Sequence, residues 1–302
     1  MRILLTGAGG YVGSKLHLRL NELGHYVTPI DIAWFNHGVI GADVRKLDTI
    51  YRTDIIIHLA AIANDPSVAF YPRLSWETSV LATQQLCQMA VKRPGTRFIY
   101  ASSVSVYGAD RGMVTEDMDL HPISDYNKTK MCAERVLLSY PELRPQIIRP
   151  ATICGLSPRM RLDLTVNMFT MQALTKGVIT LHGGEQWRPS IHIDDMVDLY
   201  VWMIEHPEHT GIWNAGFENH SLAEIAEIVA SWTNAAVLRT EQTDKRSYKV
   251  DSTKLALAGF IPQKHVQDAI QEIIIAYRKN QLIDDPRWYN LGHMQHLGVK
   301  DE

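Results

Sequence analysis

Two groups of residues in this sequence have the types and spacing to do chemistry. The first is a phenol and an ammonium four positions apart, in Tyr126-Asn127-Lys128-Thr129-Lys130. At a helix start that spacing puts both on one face, and an ammonium close to a phenol favours phenolate and lowers its pKa toward working pH. Such a pair can move a proton to or from a hydroxyl, although the same spacing also arises on solvated helix faces. A serine-rich run, Ser102-Ser103-Val104-Ser105-Val106-Tyr107-Gly108, lies upstream. The second group is Gly7-Ala8-Gly9-Gly10-Tyr11-Val12-Gly13. Glycines at 7, 10 and 13 let the chain turn tightly and let a pyrophosphate approach exposed N–H groups at a helix N-terminus. Asp31 ends the next apolar run, where a carboxylate accepts from a ribose 2′-OH and repels a 2′-phosphate. That favours NAD over NADP; the alternative for Asp31 is a turn cap.

These residues need elements to position them, and the first half of the chain supplies an alternating pattern. Arg2–Thr6, Tyr26–Asp31, Asp54–Ala60, Arg97–Ser102 and Gln146–Pro150 read as buried strands. Tyr11–Leu23, Leu47–Arg52, Leu74–Lys92 and Tyr126–Ser139 have apolar residues at helical spacing. Strands apolar on both faces, alternating with helices, predict an α/β fold with a Rossmann-type doubly wound parallel sheet. Residues 1–152 form the expected NAD-binding domain, and 153–302 a smaller mixed α/β region for substrate, with 187–216 packing back onto the first domain. In that second region the pattern predicts a helix over Leu162–Lys176, a strand at Val178–Leu181 and another at Ser190–Ile193. A helix opens at Asp194-Asp195, one starts with the capping box Ser221-Leu-Ala-Glu, and the last covers Val266–Lys279.

Composition narrows the function classes. The chain has 302 residues, 46% hydrophobic and 21% charged, with formal net charge -3; mean hydropathy is -0.12. This is a core-forming chain with no basic surplus for nucleic acid. No apolar run reaches the ~18 residues of a membrane span. Cys87, Cys132 and Cys154 are odd in number and widely spaced, which suggests free thiols and a cytoplasmic setting. Thirteen histidines show no metal-binding spacing, so no metal is assigned, and His192 reads as a core histidine.

Taken together, these motifs resemble the extended short-chain dehydrogenase/reductases, and among them the NAD-dependent nucleotide-sugar epimerase/dehydratase family. The likeness runs from Leu4 to about Tyr277. It includes the glycine loop, Asp43-Val44-Arg45, His58-Leu59-Ala60-Ala61, Ser102-Ser103, Val106-Tyr107-Gly108, Tyr126/Lys130 and Arg149-Pro150. Trp187-Arg188-Pro189, Ile191-His192-Ile193-Asp194-Asp195 and Asn214-Ala215-Gly216 complete it. The resemblance implies that Gly7, Gly10, Tyr11, Val12, Gly13 and Asp31 bind NAD. It places Asp43 and Val44 at the adenine, and Leu59, Ala60 and Ala61 along the ribose and phosphates. Tyr126 would be the acid/base on a sugar hydroxyl, with Ser103 on the same oxygen. Lys130 would bind the nicotinamide ribose and lower the tyrosine pKa. Arg188 and Arg246 would clamp the diphosphate of a nucleotide sugar, and Asn167 would also touch substrate. A homodimer built on the Leu74–Lys92 and Tyr126–Ser139 helices is the family's habit.

Within that resemblance, Val104-Ser105 stands where 4,6-dehydratases carry an Asp-Glu pair, and no cysteine marks the fucose-synthase type. The expected activity is therefore an epimerase acting at C4 through a transient 4-keto sugar. The alternatives are a nucleotide-4-keto-sugar reductase or C4 dehydrogenase, and a non-catalytic NAD sensor. Ser79, where relatives usually carry asparagine, and Cys154, in place of a common tyrosine, depart from the pattern. The Ser157–Arg161 loop, with two arginines, offers a further phosphate contact.

Overall fold

A computed structural model describes residues 1–35, 38–109, 111–241 and 247–301. Its centre is a sheet of seven parallel strands: β1 (Arg2–Thr6), β2 (Tyr26–Asp31), β3 (Ile40–Gly41), β4 (Ile55–His58), β5 (Arg97–Ala101), β6 (Gln146–Pro150) and β7 (Gly211–Ala215). Their order across the sheet is β7-β6-β5-β4-β1-β2-β3. Strand side chains alternate between two cores, which explains the unbroken apolar runs. Ile3, Leu5, Ile55 and Ile57 face one core; Leu4, Ile56, Phe98 and Tyr100 face the other. Helices α1 (Tyr11–Glu22) and, late in the chain, Ile193–Glu205 cover the first face through Leu16, Leu20, Met196 and Leu199. Helices α2 (Ala82–Ala90) and α3 (Asp125–Leu138) cover the second through Leu86, Ala90, Ala133 and Leu137.

The remainder builds a second core. Thr152–Cys154, Trp187–His192 and Glu218–Ser221 make a three-stranded sheet, with the middle strand parallel to the first and antiparallel to the last. Val178–His182 pairs with Ala236–Thr240. Helices α4 (Thr165–Lys176), α5 (Ile193–Glu205), α6 (Leu222–Thr233) and α7 (Val266–Arg278) follow in the chain. Phe169 of α4, Ile225 and Val229 of α6 and Ile270 of α7 share one cluster. The Ser221/Glu224 capping box opens α6, each residue's side chain accepting from the other's N–H at 3.1 and 2.7 Å.

Two helix expectations need correction. Leu47–Arg52 is not helical: Asp43 caps a single tight turn over Val44–Lys46, and the chain then runs extended from Leu47. Six residues that include Thr49, Ile50 and Tyr51 cannot nucleate a helix by themselves, and buried Ile50 pins the segment instead. The Leu74–Lys92 helix is a relay of Pro72–Trp76, a widened π-type turn at Glu77–Leu81, and α2. Buried Ser79 lies in the widened turn, its carbonyl accepting from Thr83 Oγ1 at 2.6 Å.

Candidate active site

A cleft of about 690 Å³ opens along the C-terminal ends of β1, β2, β4, β5 and β6. The glycine loop forms its floor. Gly7 sits at φ +73°, and a Cβ there would meet the Ala60 nitrogen at 2.6 Å. A Cβ on Gly13 would lie 2.0 Å from the Gly7 carbonyl oxygen, so α1 can seat against the loop only through glycine. Val12 lines the same floor. Asp31 faces the cleft and accepts from Gly9 N (3.1 Å) and Ala33 N (2.8 Å), the second contact being the turn cap given as its alternative role. Burial raises its pKa, and those two N–H groups oppose the rise. Asp43 and Val44 form the far wall, where Asp43 is fixed by its own turn and by Arg45. Leu59, Ala60 and Ala61 line the opposite side as β4 ends.

Ser103, Tyr126 and Lys130 all face this cleft. Ser103 follows β5 and caps the turn Val104–Tyr107, with its Oγ 2.8 Å from Ser105 Oγ. Tyr126 stands in the first turn of α3, which Ser124 caps by accepting from Asn127 N at 3.2 Å. Lys130, one turn on, is 4% exposed and donates to the Ala101 carbonyl at 2.7 Å. Burial draws its ammonium down to about 8. The electrostatics differ from expectation at one point. Burial pushes the Tyr126 phenol up, and the nearby Ser103 side chain and the Arg161 charge work in the other direction. Lys130 spends its ammonium on a backbone carbonyl and the Tyr100 ring face, 5.1 Å from its centroid.

On the substrate side, Arg188 and Tyr248 line the cleft. Arg246 lies outside the described residues. Asn167 does not reach the cleft. It is fully buried, accepts from Gly155 N and donates to Tyr11 Oη and the Arg161 carbonyl, all at 3.0 Å. Its amide is consumed in bracketing the 155–161 loop to α1, so the expected substrate contact is corrected to a structural role. Tyr11 likewise turns its hydroxyl away, to the Gly155 carbonyl at 2.6 Å.

The cleft also holds the two loop arginines already marked as a further phosphate contact, and several residues that sequence reasoning missed. Arg159 and Arg161 come from the loop whose paired arginines were the one signal available. Arg161 is held by Asp163 at 2.7 Å. Trp34, Phe35, Tyr289 and Asn290 also line the cleft, the last two from a C-terminal segment beyond the reach of the resemblance. His192 is indeed buried, its Nδ1 accepting from Asp194 N at 3.1 Å. Its Nε2 lies 3.3 Å from Glu272. His192, Asp194 and Glu272 converge, yet Lys15 and Lys264 already ion-pair with the two carboxylates, which disfavours a cation there.

Beneath the site runs a buried polar chain. Arg149 Nη2 and Nε bind Glu134 at 2.6 and 2.9 Å, Ser102 Oγ donates to Glu134, and Tyr107 bridges Arg149 Nη1 to Asn214 Oδ1 at 2.8 Å each. This gives Arg149, Tyr107 and Asn214, three residues of the motifs noted in the sequence, a shared structural role. They tie β5, β6, β7 and α3 together directly under Ser103.

Seven strands in this order, with a glycine-floored cleft, an acid at the end of β2 and a Ser/Tyr/Lys set, define a dinucleotide-dependent oxidoreductase-type fold. Residues 3–216 match the NAD dependent epimerase/dehydratase family, and the chain belongs to it. The UDP-glucuronic acid decarboxylase 1 of Xenopus tropicalis is 28% identical over 330 aligned positions, covering 95% of this chain and 76% of that protein. A UDP-glucuronic acid 4-epimerase from Bacillus cereus, solved with UDP-glucuronic acid and NAD, is 25% identical with a TM-score of 0.82. MoeE5, solved with UDP-glucose and NAD, is 26% identical with a TM-score of 0.83. Each of these two covers 93% of this chain and 100% of its own. NAD is the family's cofactor, and the residues here fit it. The loop leaves no room for a Cβ at Gly7 or Gly13, Asp31 is held ready by two N–H groups, and a buried guanidinium atom, Arg159 Nε, has no hydrogen-bond partner among the described residues. Among those residues no helix is long and apolar enough to cross a membrane.

Proposed function

We propose that this chain is a nucleotide-sugar 4-epimerase. The observation that carries the reading is the joint placement of Ser103, Tyr126 and Lys130 on one cleft wall, with Val104 and Ser105, not an acidic pair, beside them. Eliminating water from a sugar needs a further acid and base there; inverting C4 does not. NAD, when bound, supplies a reversible hydride acceptor for one sugar carbon. Tyr126 takes the C4 hydroxyl proton and later returns it, Ser103 holds the same oxygen, and Lys130 anchors the cofactor's ribose side. Gly7, Gly10, Val12, Gly13, Asp31, Asp43, Val44 and the Leu59–Ala61 segment bind the dinucleotide. Arg188 binds the diphosphate of the sugar nucleotide.

A second reading is favoured by the curated relatives, several of which are UDP-glucuronic acid decarboxylases. Oxidation at C4 of a hexuronic acid makes a β-keto acid, which loses CO2 unless its carboxylate is held in a poor geometry for release. One experiment separates the readings. The protein is incubated with UDP-glucose, UDP-N-acetylglucosamine and UDP-glucuronic acid without added reductant, and proton NMR follows the sugars. A C4 epimer with no net NADH supports the epimerase. A pentose product with CO2 from UDP-glucuronic acid overturns it in favour of decarboxylation. If none of the three reacts, a second incubation with a nucleotide 4-keto sugar and added NADH is run, and steady NADH consumption there makes the chain a reductase.

A further inference from the structure

Two adjacent loop arginines reach the cleft, and their surroundings differ. Arg161 is neutralised by a two-point ion pair with Asp163, at 2.7 and 3.0 Å. Arg159 is 2% exposed and has no carboxylate within ion-pair distance among the described residues. Its guanidinium lies 4.0 Å over the Phe35 ring, donates from Nη2 to Asn290 Oδ1, and leaves Nε without a partner. A buried cation in this condition is matched by an anion. Burial draws Arg159 down to about 9, which still leaves it charged at neutral pH.

Its position identifies which anion. The 155–161 loop is laid on the first turn of α1: Ser157 Oγ donates to the Tyr11 carbonyl at 2.6 Å, and Arg159 N–H donates to Ser14 Oγ at 3.4 Å. Among the charged neighbours that act on the guanidinium are Arg161, Asp163 and Asp31. Arg159 thus stands between the helix N-terminus that receives phosphate and the carboxylate that receives ribose. The residue that aims it comes from the far end of the chain. Asn290 opens α8 (Asn290–His296), donates from Nδ2 to the Ala63 carbonyl at 3.0 Å, and is followed by His293, whose Nε2 meets the Trp34 carbonyl at 2.8 Å. Asp301 then caps Leu74 N at 2.7 Å. The segment is fastened to the nucleotide half at three places.

We propose that Arg159 and Asn290 form a clasp over the dinucleotide's diphosphate, Arg159 as its binding cation and Asn290 as the positioning residue, so that the C-terminal segment holds NAD in place between turnovers. The clasp rests on NAD as the cofactor and is independent of which sugar reaction follows.

The test is release of radiolabelled NAD into excess unlabelled NAD, for the full chain and for Arg159→Gln, Asn290→Ala and the double variant. Thermal unfolding and the KM for the sugar nucleotide are measured in parallel. The clasp requires NAD release about tenfold faster in each single variant, the size of losing one charge-assisted contact. The double variant should then be no faster than Arg159→Gln alone, since Asn290 acts through Arg159. Should Arg159→Gln fail to fold, faster release from a fully folded Asn290→Ala protein supports the clasp. Unchanged release with a raised KM for the sugar nucleotide overturns it and assigns Arg159 to substrate. Additive effects overturn the role given to Asn290.

Discussion

At the scale of single residues, the phenol is the point on which the chemistry turns. Tyr126 accepts a proton only as phenolate, and burial in the cleft wall works against that form while the nearby Ser103 side chain favours it. Tyr126→Phe removes the proton acceptor and lowers kcat by about 10²–10⁴-fold with bound NAD unchanged, as read from turnover and cofactor absorbance. Ser103→Ala has a different signature. Losing the Ser103 hydroxyl, which works to lower the phenol pKa, lets that pKa rise further, so the rising limb of kcat/KM against pH moves to higher pH. Activity at pH 7 falls, and part of it returns at pH 9. A uniform loss across the profile would mean that Ser103 only positions the sugar. The proposed proton-transfer pair could be picked out in the sequence because Tyr126 and Lys130 lie four positions apart on one helix. The direction of the tyrosine shift could not, because it is set first by how deeply the folded chain buries the phenol.

At the scale of elements, the Ser102–Glu134–Arg149–Tyr107–Asn214 chain fixes how α3 lies on the sheet, and hence where Tyr126 faces Ser103. Glu134 and Arg149 are each about 2% exposed at the side chain. Removing one partner leaves a buried charge uncompensated. Glu134→Ala should cost about 3–5 kcal/mol in urea unfolding, while the paired change Glu134→Leu with Arg149→Met recovers most of it. Recovery of stability without recovery of turnover would show that the ion pair sets geometry more than stability. Local signals made the neighbouring elements legible: glycines 7, 10 and 13 before α1, the Ser221/Glu224 box before α6, and apolar runs for β1, β4 and β6. Two failures share a cause. The Leu47–Arg52 stretch has helical spacing but too few residues to propagate, and its fate is decided by Ile50 and by Gln85 of α2, which donates to the Leu47 carbonyl. Asn167 sits on a helix with no local mark of what it binds, and its partners at positions 11, 155 and 161 come from three other segments. Tyr289 and Asn290 join the cleft through contacts more than two hundred residues back along the chain, such as Ala63, which no periodicity encodes.

At the scale of the whole molecule, the two halves are tied together at several places, which predicts a single unfolding transition. The 155–161 loop is bracketed to α1, Arg97 Nη2 donates to the Ile204 carbonyl of α5, and the C-terminal segment returns to Trp34 and Leu74. A single unfolding transition makes the pH dependence of stability interpretable as proton linkage. His58 at the end of β4 is fully buried, hydrogen-bonded through Nδ1 to Thr6 Oγ1 at 2.6 Å, and packed on Phe98 and Tyr100. Burial, with the Lys130 charge added, pushes its pKa from 6.5 down to about 3. Between those values the unfolded chain takes up a proton that the fold refuses, so stability is full above pH 6.5 and declines as pH falls toward 3. Glu272 acts lower. His192 and Lys264 hold it at about 2 against burial, from an ordinary 4.5, so its contribution is present above 4.5 and lost as pH falls through 2. The window between pH 6.5 and 5 therefore isolates histidine. One proton there is worth about 1.4 kcal/mol per pH unit. His58→Asn keeps a hydrogen-bonding side chain toward Thr6 and removes the titration. Its urea midpoint should fall less than that of the parent chain between pH 7 and pH 5, even if it begins lower. Equal declines in the two proteins would move the acid sensitivity to other histidines and show that the folded chain lets His58 take up its proton as readily as the unfolded chain does.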